Sequence, residues 1–139
     1  MYIVSACLLG ADCKYNGGNN DNEAVKDFCE GHRILTVCPE TEGGLEAPRP
    51  PAEQQGDRVV NSEGKDVTQE FEKGACICLK KVLDSGETPE LAILKANSPS
   101  CGSCVVYDGT FMGTLTEGDG VFTRLLKEKG IKVITEKEL

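Results

Sequence analysis

Eight cysteines in 139 residues hold most of the chemistry this chain can offer. They are Cys7, Cys13, Cys29, Cys38, Cys76, Cys78, Cys101 and Cys104. In a secreted chain an even count suggests disulfides. In a reducing compartment the same thiols point to metal, cluster or redox chemistry. Cys7, Cys38 and Cys101 share one kind of surroundings: "SACLLG", "VCPE" and "SPSCG" each set a cysteine beside small or turn-forming residues that expose backbone N–H groups. Three thiolates suit an iron–sulfur cluster one ligand short of the usual four, with one iron left for a substrate. The competing reading is three buried thiols filling a core, since free Cys is among the most buried residue types.

The other thiols read differently. Cys29 follows Phe28 and Cys78 falls on the apolar face of a long helical pattern, so both are expected to fill the core. Cys76 and Cys78 form C-x-C, but on a helix two positions apart point about 200° from each other and do not share an ion. Cys13, in the loop after Cys7, is placed to act as a fourth ligand or as a neighbouring thiol. Cys101 and Cys104 form C-x-x-C, a redox motif when it opens a helix. Here Val105-Val106-Tyr107 follows, which favours extended chain. Zinc would need four closed ligands, and the one histidine, His32, reads as a solvated loop residue. Glu40, Ser98 and Ser100 lie near the same cysteines. They either cap and stabilise turns or supply the carboxylate and hydroxyl that activate water and move protons. Arg49, within "APRPP", either clamps an anionic or carbonyl group or pairs with a surface acid.

The elements that must position these residues follow from apolar patterning. Residues 2–6, residues 33–37, Leu91–Leu94 and residues 132–134 are short apolar runs and read as strands. Arg58–Asn61 reads as an edge strand. Residues 23–30 form a short helix with Val25, Phe28 and Cys29 turned inward. Asp66 is expected to cap a helix, with Gln69 in the capping-box position. That helix carries Phe71, Ala75, Cys78, Leu79 and Val82 on one face and stops near Gly86. A last helix follows Gly118-Asp119-Gly120, carries Val121, Leu125 and Leu126, and stops at Gly130. Residues 41–57 read as one long loop, of the kind that is usually functional or mobile. Alternating strands and helices predict an α/β fold: a single domain over residues 1–139, with a mainly parallel, Rossmann-like sheet and helices on both faces. Ligands bind such sheets beyond the carboxyl ends of the strands. Cys7, Cys38 and Cys101 all lie just past such ends.

Composition narrows the partners. A chain of this length buries roughly two-thirds of its unfolded surface and needs no disulfides to fold. Apolar residues make up 39% and aromatics 5%, with no Trp, so the core is aliphatic. A net charge of -8 argues against a nucleic-acid or anionic-membrane partner, which needs a positive footprint. It leaves room for a small anionic ligand. No segment approaches the ~20 apolar residues that span a bilayer. The opening Met-Tyr-Ile-Val-Ser-Ala-Cys lacks the basic and apolar regions of a secretory signal. A cytoplasmic location is expected.

Six segments, in order, carry a family resemblance: "SACLLGADCKYNGG", "VCPETEGGLEAPRPPAE", "GKDVTQEFEKGA", "AILKANSPSCG", "VYDGTFMGTLTEGDGV" and "GIKVITEKE". Together they resemble the thiouracil desulfidase family of small bacterial proteins over nearly the whole chain. The chain departs from the family pattern at Asn16, which takes the place of the Asp expected in a Y-D-G element, and at Cys104, an added thiol. The resemblance implies a [4Fe–4S] cluster held by Cys7, Cys38 and Cys101. A cluster with an exposed iron is easily lost in air. It also implies Glu40, in "CPE", and Ser98, the first serine of "SPSC", as acid–base and polar groups. Arg49 and Ser100 complete the expected site as substrate-binding residues. The implied reaction is a non-redox hydrolysis that removes sulfur from a small thiolated pyrimidine, thiouracil or 4-thiouridine monophosphate, with sulfide passing to the cluster. The alternatives are a sulfide or persulfide carrier, a metal-binding sensor without turnover, or a thiol-redox protein using Cys101 and Cys104. Glu40 separates the enzyme from the carrier, which needs no base.

Overall fold

A computed structural model describes residues 1–139. In chain order the elements are β1 (Tyr2–Ser5), α1 (Glu23–Cys29), β2 (Ile34–Val37), α2 (Pro39–Glu42), β3 (Ala52–Gln55), β4 (Arg58–Asn61), α3 (Thr68–Asp84), β5 (Leu91–Leu94), β6 (Val105–Tyr107), β7 (Leu115–Glu117), α4 (Val121–Glu128) and β8 (Val133–Thr135). A 3-10 turn, Ala6–Leu9, follows β1.

Four strands form a parallel sheet in the order β2-β1-β5-β8. Successive side chains point to opposite faces of a strand, and this sorts the core into two layers. Ile3, Ala92 and Leu94 pack with Ala75, Cys78 and Val82 of α3 and Phe122 and Leu126 of α4. Tyr2, Val4 and Ile93 pack on the other side with Val25 and Cys29 of α1. The expected α/β sheet with helices on both faces is therefore what forms. Register brings the carboxyl ends level: Ser5 pairs with Val37, and Val4 with Ile93.

Several local expectations are corrected. Phe28 is 41% exposed rather than inward. It stacks on Tyr2 at the sheet rim, with ring centroids 5.5 Å apart, and His32 stacks nearby on Tyr2 at 4.2 Å. Asp66 is not the N-cap of α3; Val67 holds that position. Asp66 Oδ1 instead accepts the Thr68 N–H at 2.9 Å, and its Oδ2 accepts from Arg58 at 2.6 Å. The stretch 41–57 is not one loop. It contains β3, which pairs with β4 as an antiparallel hairpin. A second hairpin, β6–β7, lies beyond β5.

The one-turn helix α2 exists because α3 accepts it at backbone distance. A Cβ at Gly74 would lie 1.7 Å from the Pro39 carbonyl oxygen, and one at Gly43 would lie 2.0 Å from that of Glu70. Only two glycines permit this approach. An ion pair between Lys81 and Glu42 joins the same two helices.

Candidate active site

One cavity of about 480 Å³ opens at the carboxyl edge of the sheet, and Cys7, Cys13, Cys38 and Cys101 all line it. Cys7 arrives on the 3-10 turn after β1, Cys38 at the junction of β2 and α2, and Cys101 on the loop between β5 and β6. All four are free thiols. Cys29 and Cys78 are buried in the two core layers, as expected, while Cys76 and Cys104 are exposed away from this cavity.

Each of the three expected ligands has a donor aimed at its sulfur. Asn20 Nδ2 donates to Cys7 Sγ at 3.4 Å. Ser100 Oγ lies 3.7 Å from Cys101 Sγ, and Ser5 also bonds that thiol. The amide and hydroxyl of Thr41 support Cys38. Cys13 lies between two of the others. Its thiol bonds Cys38 and Cys7 and is itself pushed far up, first by Cys38, so it keeps its proton. The single Cys13 proton can serve either neighbour, and its donation is the main effect that lowers Cys38 and Cys7, against the opposing effect of burial. Burial pushes the Cys101 thiol well up, with partial relief from Ser5 and Ser100.

This donor set fits an iron–sulfur cluster. No group of three or more His, Cys, Asp or Glu side chains is close enough to share one metal ion. A cluster needs its thiolates spread around a larger body, with hydrogen bonds to sulfur tuning it. The fully buried Cys101 would release its proton as the metal binds.

The residues expected to act as acid–base groups lie beside the thiols in one hydrogen-bonded chain. Ser98 Oγ accepts the N–H groups of Ser100 and Cys101 at 3.1 and 2.9 Å. Ser98 and Ser100 hydroxyls are 2.9 Å apart, and Ser100 Oγ donates to Glu40 Oε2 at 2.8 Å. Ser100 has one hydroxyl proton, so the proton of Ser98 fills the Ser98–Ser100 bond. The other carboxylate oxygen, Glu40 Oε1, accepts from Arg49 Nε at 3.1 Å.

Arg49 and Ser100, expected to bind substrate, both line the cavity and both are bonded within the protein. The Arg49 side chain is only 8% exposed. Its Nη2 donates to the Cys13 carbonyl at 2.8 Å and its Nη1 to the Leu45 carbonyl at 3.2 Å. Each guanidinium nitrogen thus has a partner within the protein. Ser100 is 2% exposed and sits behind Ser98. Both residues line the cavity wall, yet their donors orient Glu40.

Sequence reasoning passed over Asn20, Thr41, Ser5, Tyr107 and Phe111. Asn20 reaches Cys7 across 13 positions, and no local pattern marks such a contact. A polar β3 hid another link: Gln54 Nε2 donates to the carbonyls of Pro99 and Asp119 at 3.0 and 2.9 Å, fastening the hairpin to the loop that carries Ser98 and Cys101.

An open parallel sheet that gathers soft sulfur ligands and an oriented carboxylate at its carboxyl edge defines an α/β enzyme scaffold for a metal–sulfur centre. The chain belongs to the 2-thiouracil desulfurase family, whose model matches residues 2–138. It is 38% identical, over 149 aligned positions, to a Bacillus subtilis (strain 168) protein named only as uncharacterized protein YbbK, covering 100% of this chain and 97% of that one. Among solved structures it resembles the [4Fe-4S]-dependent thiouracil desulfidase TudS, with a TM-score of 0.89 and 46% identity over 99% of this chain and 91% of that chain.

Proposed function

We propose that this chain is a [4Fe–4S]-dependent desulfidase acting on thiouracil or a related small thiolated pyrimidine, with residues 1–139 working as one catalytic unit. Cys7, Cys38 and Cys101 would hold the cluster. When bound, it supplies a Lewis-acidic iron for the thiocarbonyl sulfur and a site for the released sulfide. The observation that carries the reading is the Ser98–Ser100–Glu40–Arg49 chain along the wall of the thiol cavity.

In this mechanism Glu40 takes a proton from water lodged beside the sulfur-bearing carbon. The oxygen attacks that carbon, the C–S bond breaks, and a C=O group replaces C=S. No electrons are gained or lost. The two water protons leave with sulfide, and the serine pair offers them a route from Glu40. Arg49 and Ser100 hold the two carboxylate oxygens in place, so the base meets its substrate without reorganising. Ser98 faces the cavity and would touch the substrate or its water. The absence of a helix long and apolar enough to cross a membrane and the acidic charge accord with a small-molecule substrate in the cytoplasm.

The test is anaerobic purification, iron and acid-labile sulfide analysis, and then loss of absorbance from added 4-thiouridine monophosphate. Glu40→Gln is expected to keep the cluster and lose ~10²–10⁴-fold in kcat, the usual worth of a general base. A protein that loads sulfide but turns over no thiolated pyrimidine would be a carrier, and the proposal would fail.

A further inference from the structure

The thiol cavity has a second wall that the chemistry above does not use. It comes from the end of β6 and the turn that follows, which bring Tyr107 and Phe111 to the cavity. Phe111 has φ of 59°, in the left-handed region. A bulky side chain seldom adopts that conformation, and it persists only where the surroundings over-determine it.

The surroundings that do so come from β3. Glu53 is 8% exposed, and its Oε1 accepts two backbone N–H groups of the turn, Gly109 at 3.0 Å and Phe111 at 3.1 Å. Gln55 Nε2 donates to the Gly109 carbonyl at 2.9 Å. Gly109 has φ of 91°, and a Cβ there would lie 2.6 Å from the Gln54 carbonyl oxygen. Burial of the turn's own apolar residues does not explain the arrangement, since Met112 next to Phe111 is 79% exposed. A buried carboxylate therefore fixes one aromatic residue at the wall of a cavity whose other wall carries thiols, hydroxyls and Glu40.

We propose that Phe111 is a specificity-determining residue that reads the flat face of the pyrimidine, and that Glu53 is its positioning residue. The inference rests on the desulfidase reading for the identity of the ring. Stacking on an aromatic side chain is the general way proteins hold a nucleobase while leaving its edges free. Here that would leave the sulfur-bearing edge free to face the cysteines.

Uracil and 5,6-dihydrouracil separate this role from a structural one. They present the same carbonyl and N–H groups, but only uracil is a flat aromatic ring, and neither is turned over. Binding of each to cluster-loaded protein is measured anaerobically by equilibrium dialysis. Wild type is expected to prefer uracil. Phe111→Ala should weaken uracil binding about tenfold or more and abolish the preference, with cluster absorbance unchanged. Phe111→Tyr should retain both. Glu53→Ala should behave like Phe111→Ala, and Glu53→Gln should restore binding, because an amide oxygen can still accept both N–H groups. The inference is overturned if Phe111→Ala keeps the preference for uracil, or if Glu53→Gln binds as poorly as Glu53→Ala. If the preference follows Phe111 while no thiolated pyrimidine is desulfurised, this inference stands and the enzymatic reading fails.

Discussion

Arg49 is 8% exposed at its side chain, and its three guanidinium nitrogens bond Glu40, Leu45 and Cys13. Removing it would take the donor from Glu40 Oε1 and from the Cys13 and Leu45 carbonyls, leaving Ser100 as the partner of Glu40 Oε2. Lys offers one compact charge where Arg offers a planar fork. Arg49→Lys should therefore keep the fold and the cluster yet lose about 10²-fold in kcat, the scale of a small misplacement of a catalytic group. Unchanged kcat would show that Ser100 alone positions Glu40. The thiols give a second test. Cys7→Ser, Cys38→Ser and Cys101→Ser are each expected to lose the brown cluster absorbance, while Cys76→Ser, at an exposed site remote from the cavity, keeps it. Loss in the Cys76 variant would mean that the ligand set is misassigned. Away from the site, Asp66 is held down to about 2, first by its bond to Thr68 and then by Arg58. A depressed carboxyl contributes stability above its unfolded value, and that contribution disappears as pH falls through the folded one. The stability gap between wild type and Asp66→Asn should be constant above about pH 5 and close between about pH 4 and pH 2. Denaturant melts across that range would show it.

The elements divide by how much of their cause is local. β1, β2, β5 and β8 are short apolar runs, the inner pair β1 and β5 almost wholly buried and the edge pair β2 and β8 less so, so the sheet and its carboxyl edge could be read from sequence. α2 and β3 could not. "PETE" is one turn with no apolar face, and so short a helix is unstable alone. "AEQQ" is polar, and its side chains bond across to other loops instead of filling a core. In the candidate site, Cys7, Cys38 and Cys101 were legible because each follows a strand end beside small or turn-forming residues. Asn20, Thr41 and Phe111 were not, because only the folded chain brings them there. The contact between α2 and α3 makes this dependence measurable. Gly74→Ala would drive a methyl group into the Pro39 carbonyl, between Cys38 and Glu40 in sequence. Overpacking of this kind costs ~1–3 kcal/mol or more. A lower urea midpoint accompanied by poor cluster loading is expected. A fully stable, fully loaded variant would show that α2 can move without consequence.

At the scale of the whole molecule, the cavity draws its walls from residues as far apart as Ser5 and Gly113, on β1, β2, α2, β3, β6 and the segments that connect them. The turn around Glu40 makes the point most directly. Its amides bond only to their immediate neighbours, Glu42 N–H to the Cys38 carbonyl at 3.0 Å and Leu45 N–H to the Glu40 carbonyl at 3.0 Å, and by length alone they would fray. Docking on α3 by way of Gly43 and Gly74 denies them that freedom. In hydrogen–deuterium exchange, loop amides ordinarily open at little cost while core amides wait for global unfolding. The amides of residues 42–45 should therefore exchange on the slow timescale of α3, so that the stretch carrying the candidate base is read by solvent as part of the core.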